Sequence, residues 1–165
     1  MQTPIRKPGQ YAGIKPDPHM TPDKFRGLSV ELEKLKAKRP YAAAEVKRLA
    51  ADGDFSENHA YSMAKGRLRG LNRRIDEIED HLKRAVIIEV PKNPDKAVLG
   101  SLVTVSVNGR EKSYRILGSS ETNPSGGIIS HNSPLGLALL GRRVGDTARV
   151  WLKDKAVEYK IIKIG

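Results

Sequence analysis

Two carboxylates stand close together in Gly53-Asp54-Phe55-Ser56-Glu57-Asn58. Asp54 and Glu57 are three positions apart, so a helix beginning here sets both near its first turn on one face. Two chemistries fit that spacing. Asp54 can be an N-cap with Glu57 closing a capping box, since Asp-x-x-Glu before an apolar-periodic run is an ordinary helix start. The same pair can offer oxygen ligands to a divalent metal. Spacing alone favours the cap, so the elements on either side have to decide.

Thr21-Pro22-Asp23 is a helix entry, with Thr21 as N-cap, Pro22 at the first helical position and Asp23 favourable to the helix dipole. Apolar residues follow at Phe25, Leu28, Leu32, Leu35, Ala42, Val46 and Leu49, in steps of three and four that only Arg39 interrupts. Pro40 lies inside this run and predicts a kink or a restart. Asp52-Gly53 ends the first helix, and a second extends from about Phe55 to Ala85. Its seam is Tyr61, Ala64, Leu68, Leu71, Ile75, Ile78, Leu82 and Ala85. Two such seams joined by a tight turn predict an antiparallel coiled-coil hairpin whose arms are about 45 Å long. The acidic turn is then its tip.

Charge along the second helix is segregated. Lys65, Arg67, Arg69, Arg73 and Arg74 lie on the half near the tip, and Asp76, Glu77, Glu79 and Asp80 on the half near the base. A charge run is usually a solvated helix face. Cations beside an acidic tip also suit a place where a phosphate chain meets a metal.

With 165 residues the chain can form one domain or two small ones. Its net charge of +11 points to an anionic partner, nucleic acid ahead of membrane. Absence of cysteine excludes disulfides and thiolate metal sites and agrees with a reducing cytoplasm. No apolar run is long enough to span a bilayer, and the N-terminus has no signal-peptide core. The four histidines, His19, His59, His81 and His131, are scattered in sequence and form no recognisable ligand set.

Residues 1–20 carry four prolines and few apolar side chains and read as a disordered leader. Residues 21–90 are the hairpin, and 91–97 a linker with Pro91 and Pro94. From 98 to 165 the texture changes. Leu102 to Val107 and Ser113 to Leu117 are β-rich runs joined through Asn108-Gly109, a strong hairpin signal. A turn at Gly126-Gly127 leads into a short strand, and Ser133-Pro134 opens a short helix over 135–140. Thr147 to Leu152 and Ala156 to Ile164 read as a closing hairpin. The fold class expected is a long helical hairpin followed by a small α+β domain of four or five mostly antiparallel strands and one helix.

In this order the residues resemble the bacterial Gre transcript-cleavage factors, over nearly all of Met20 to Ile164. Four stretches carry the resemblance: Met20-Thr21-Pro22 with Glu31-Leu32-Glu33; Arg39-Pro40; the tip motif with Tyr61; and Ile129-Ser130-His131-Asn132-Ser133-Pro134-Leu135-Gly136-Leu137-Ala138-Leu139-Leu140-Gly141 with Val144-Gly145-Asp146. Ala50-Ala51 and the basic stretch through Arg73-Arg74 look more like the GreB branch.

The resemblance implies an FKBP-like C-terminal domain that docks on RNA polymerase, through Ser133, Pro134, Leu135 and Leu139. It implies that a monomer enters the polymerase secondary channel and stimulates cleavage of the 3′ end of backtracked nascent RNA. In that role Asp54 and Glu57 help hold the second catalytic Mg2+, shared with the polymerase. Ser56, Asn58 and Tyr61 support the tip, and Lys65, Arg67, Arg69, Arg73 and Arg74 contact RNA. The chain is then not an enzyme itself and works in the bacterial cytoplasm. Ala60 stands where the family often has an acid. Its presence motivates the alternative of a channel-binding regulator that modulates polymerase without promoting cleavage.

Overall fold

The computed structural model describes residues 15–51, 59–89, 92–152 and 155–165. Helix α1 spans Pro22–Ala51 and α2 spans His59–Lys83. They run antiparallel and are tied across by Arg74 to Glu31 (2.8 Å), Lys36 to Glu79 (2.8 Å) and Arg67 to Glu45 (3.6 Å). Thr21 caps α1 as its residue type predicts, its Oγ1 accepting from the Lys24 amide at 3.2 Å.

The two seams meet unevenly. Leu28, Leu32, Ile75 and Ile78 are buried together at the base, with Phe25, Leu35, Leu71 and Leu82 packed around them. Nearer the tip Ala64 alone is buried among the described residues, because two helices by themselves cannot shield larger side chains. Proline 40 does not restart the helix: α1 continues through it, with Pro40 exposed. The ring removes one backbone hydrogen bond. The ion pairs of Lys36 and Glu45 to α2 hold the helix on either side of that gap.

Of the segment read as a disordered leader, residues 15–20 are described, and they are built into the fold. Strand β1, His19–Met20, pairs parallel with β2, Val86–Ile87, just beyond the end of α2. Met20 is fully buried and plugs the apolar base of the hairpin.

The C-terminal domain is a five-stranded sheet of β3 (Leu102–Val107), β4 (Arg110–Leu117), β5 (Ile128–Ser130), β6 (Thr147–Leu152) and β7 (Lys155–Ile164). The order across the sheet is β5-β4-β3-β7-β6, antiparallel except for β4 with β5. Asn108 and Gly109 both have positive φ, 51° and 73°, as the two-residue turn between β3 and β4 demands. Val103, Val105 and Val107 alternate inward, and helix α3, Pro134–Leu139, covers that face with Leu139. A register shift on β7, where Thr104 pairs with Lys163 but Val105 with Ile161, leaves Ile162 facing out.

Short contacts join the two parts. The Thr21 amide and Oγ1 both donate to the Glu121 carboxylate, at 2.8 and 2.6 Å. Gly118 sits directly against the His19 carbonyl, where an added Cβ would lie 2.0 Å from the oxygen.

Candidate functional site

Asp54, Ser56, Glu57 and Asn58 lie outside the described residues. The structure gives the frame on either side of them: α1 ends at Ala51 and α2 begins at His59, and these helix ends are remote from β1, β2 and the C-terminal domain. The other tip candidate, Tyr61, is half-buried in the first turn of α2, and Lys65 Nζ sits 5.7 Å from its ring centre. That is a one-turn cation–π pair.

The five basic candidates separate into two groups. Arg67 and Arg74 lie two turns apart and face α1, where each meets a glutamate. Arg74 is held closely by Glu31 at 2.8 Å, whereas the Arg67 pair with Glu45, at 3.6 Å and exposed, is a loose one directed at α1. Lys65, Arg69 and Arg73 recur every fourth residue and form a stripe on an exposed face. Gly66 and Gly70 lie beside this stripe, and with Arg69 and Arg73 they line a recess of about 400 Å³. Arg73 makes a loose pair with Glu77 at 3.5 Å, and Arg69 has no ion pair among the described residues. The stripe is therefore the part of the run whose cations face solvent. The acids at the base are largely matched: Glu79 by Lys36, Glu77 by Arg73 and Arg74, and Asp80 by Arg84.

In the C-terminal domain the docking candidates divide in a similar way. Leu139 is fully buried in the sheet core, so it supports α3 from beneath and presents no surface. Ser133 Oγ donates to the Ser130 carbonyl at 2.7 Å and accepts from the Gly136 amide at 3.0 Å, which fixes the start of α3. Leu135 is partly buried against the same core. Pro134 is exposed, as are Leu137, Val144 and Trp151, and of these only Pro134 is among the expected docking residues.

The structure also collects residues that sequence reading left scattered. His19 Nδ1 lies 2.9 Å from Asp17 Oδ1, and His131 Nδ1 lies 3.3 Å from Asp17 Oδ2. His81 Nε2 is 3.0 Å from the Asp17 carbonyl. Burial alone would raise the Asp17 carboxyl. Hydrogen bonds from the Ser119 and His19 amides and the His19 ring, with the charge of His131, bring it down to about 2.

Comparison with known proteins turns on both halves of the chain. Residues 19–87 match the family model described as transcription elongation factor, N-terminal, and residues 91–165 match transcription elongation factor, GreA/GreB, C-term. The chain belongs to the GreA/GreB family of transcription elongation factors. Transcription elongation factor GreA of Geobacillus kaustophilus is 40% identical over 149 residues, covering 88% of this chain and 94% of that protein. The GreA of Nitratiruptor is 36% identical over 148 residues, covering 88% and 91%. These relatives bear the GreA name, and the expectation of a GreB-branch member gains no support from them. Among solved structures, GreA factor homolog 1 of Thermus thermophilus is 29% identical and covers 86% of this chain and 94% of its own, with a TM-score of 0.39. A superposition that loose adds nothing to the assignment. Among the described residues of this Gre-family chain, no helix is long and apolar enough to cross a membrane.

Proposed function

We propose that this Gre-family chain binds bacterial RNA polymerase, inserts its hairpin into the secondary channel and stimulates cleavage of backtracked nascent RNA. The observation that carries the reading is the shape of α1 and α2. A 30-residue and a 25-residue helix end together far from a separate globular domain, with an exposed basic stripe along α2 just behind that end. A spacer has no use for that asymmetry of charge.

Asp54 and Glu57 would supply carboxylate oxygens to a Mg2+ held jointly with the polymerase, a donor set that suits this hard ion. That ion, when bound, supplies activation of the attacking water and stabilisation of the leaving oxygen. The chain's own contribution would be to bring two anionic ligands to the polymerase site, with Ser56, Asn58 and Tyr61 in supporting roles. The stripe of Lys65, Arg69 and Arg73 would hold the phosphates of the extruded 3′ segment, ahead of Arg67 and Arg74, whose charges are paired with α1. Pro134 and Leu137 on α3 offer a surface for the polymerase rim. The chain would act as a monomer in the cytoplasm and leave hydrolysis itself to the polymerase.

The test is to add purified protein to RNA polymerase complexes stalled in a backtracked register and follow RNA length. Shortening from the 3′ end is expected. The second reading, a channel-binding regulator without cleavage, draws on the exposed Ala60 beside the tip. Inhibition of nucleotide addition with transcripts left intact would establish that one instead.

A further inference from the structure

Asp17 and His19 from the N-terminal segment and His131 from the C-terminal domain are three metal-ligating side chains, and one donor atom from each lies within 4.8 Å of the others. We propose that they form a binding site for a borderline divalent transition-metal ion, best matched by zinc, which clips the N-terminal segment to the C-terminal domain at the base of the hairpin. The site owes nothing to the tip chemistry.

The donor types select the class of ion. Two imidazoles and one carboxylate suit zinc and its first-row neighbours, whereas Mg2+ and Ca2+ take all-oxygen sites. The spacing fits as well. Bonds of about 2.0–2.2 Å at tetrahedral angles put neighbouring donors roughly 3.3 Å apart. His19 Nδ1 lies 2.9 Å from Asp17 Oδ1 and His131 Nδ1 3.3 Å from Oδ2, and one donor atom from each residue falls within 4.8 Å of the others, so the widest separation closes by at most about 1.5 Å as the ion is gripped. The imidazole rings are 5.2 Å apart with planes inclined at 74°, so they do not stack face to face.

The support around the donors is in place. The Asp17 carboxylate is oriented by the Ser119 amide at 2.8 Å and the His19 amide at 3.1 Å. The Asp17 side chain is only 6% exposed, and those of His131 and His19 are 18% and 34% exposed. Beside them lies a cavity of about 680 Å³ lined also by Lys15, Arg84 and Asn132, with room for water as the fourth ligand. Its two cations do not oppose the ion at full strength. Arg84 is bound to Asp80 at 2.8 Å and to the Pro16 carbonyl at 3.2 Å, and Lys15 lies 3.9 Å from Asp80. On binding, each imidazole coordinates through Nδ1 as its Nε2–H tautomer: a ring carrying both protons releases the Nδ1 proton to solvent, a neutral Nδ1–H ring passes it to Nε2 by way of solvent, and the Nδ1 lone pair goes to the metal. His19 Nδ1 thereby exchanges its bond to Asp17, and His131 Nδ1 its 3.4 Å contact with the Leu117 carbonyl, for the ion.

The competing account is a metal-free clamp of one carboxylate and two histidines. Untagged full-length protein, stripped with chelator, is titrated with ZnCl2 against a chromophoric zinc indicator. One zinc per chain is expected. His19→Gln and His131→Gln should each weaken binding at least tenfold, while His59→Gln, on α2 at the far end of the hairpin, leaves it unchanged. Cobalt(II) added to the parent protein should give the intense visible bands of a low-coordinate site, a readout that needs no variant to fold. Zinc uptake unaffected by the paired His19 and His131 substitutions, or cobalt spectra no stronger than those of the hydrated ion, would overturn the proposal.

Discussion

Replacing Gly118 by alanine should uncouple the hairpin from the C-terminal domain while leaving each folded. The new Cβ would lie 2.0 Å from the His19 carbonyl oxygen and 2.9 Å from its carbon, both backbone atoms that cannot turn aside. Ordinary contact requires roughly 3.5 Å, so β1 and the start of the 3-10 turn Ser119–Glu121 must separate by well over an ångström. That opening breaks the Ser119 amide bond to Asp17 and both Thr21 bonds to Glu121. Hydrogen bonds to charged groups contribute about 1.5–3 kcal/mol each and are not additive, so we expect a loss of about 3–5 kcal/mol from the junction. Urea unfolding followed by far-ultraviolet circular dichroism for the helices and by Trp151 fluorescence for the sheet provides the assay. Coincident transitions are expected in the parent and separated ones in Gly118→Ala. Unchanged, coincident transitions in the variant would refute this account of the junction.

Other changes follow from the same contacts. Ile78→Ala removes a side chain only 2% exposed at the hairpin base and should cost about 2–5 kcal/mol by thermal or urea unfolding. Gly66→Ala and Gly70→Ala meet nothing within 4 Å and should each stabilise α2 by roughly 0.5–1 kcal/mol in the same measurement. Arg69→Ala with Lys65→Ala should lower transcript cleavage several-fold at unchanged stability, whereas Arg74→Ala should lower stability first, since Arg74 joins Glu31 at 2.8 Å. Asp17 has a folded value of about 2 against an ordinary 3.8. Its ionised form therefore stabilises the fold above about pH 4, and that contribution fades as pH falls toward 2. Asp17→Asn should remove about 1–2 kcal/mol at neutral pH, a figure reduced for solvent screening, and flatten the acid limb of chelator-treated protein.

What was legible in the sequence was what local chemistry decides. Asn108-Gly109 fixed one hairpin because two consecutive positive φ angles need such residues. Thr21-Pro22 marked the start of α1, and steps of three and four along both helices located the seam. The missed features are tertiary. Strands of two residues, such as β1 and β2, have no periodicity to read, and Met20 became a core residue only because the hairpin base needed a plug. The histidines looked scattered because only the packing of β1 against the C-terminal domain brings His19 to His131. Leu139 looked like a docking residue from its place in a motif. A six-residue helix over a sheet must bury its apolar side, and Leu139 is on it. For the candidate site, the helices and the basic stripe were legible. The division of that stripe from Arg67 and Arg74 was not, because it depends on which acids α1 sets opposite.

Asp54 and Glu57 are the residues on which transcript cleavage should depend. Backtracked RNA polymerase complexes should be incubated with the parent chain or with Asp54→Asn, Glu57→Gln, and RNA length followed as Mg2+ is varied. The parent should shorten the transcript, whereas the double variant should bind polymerase equally well and leave the RNA intact at all but the highest Mg2+. Equal cleavage by both proteins across the titration would contradict that dependence.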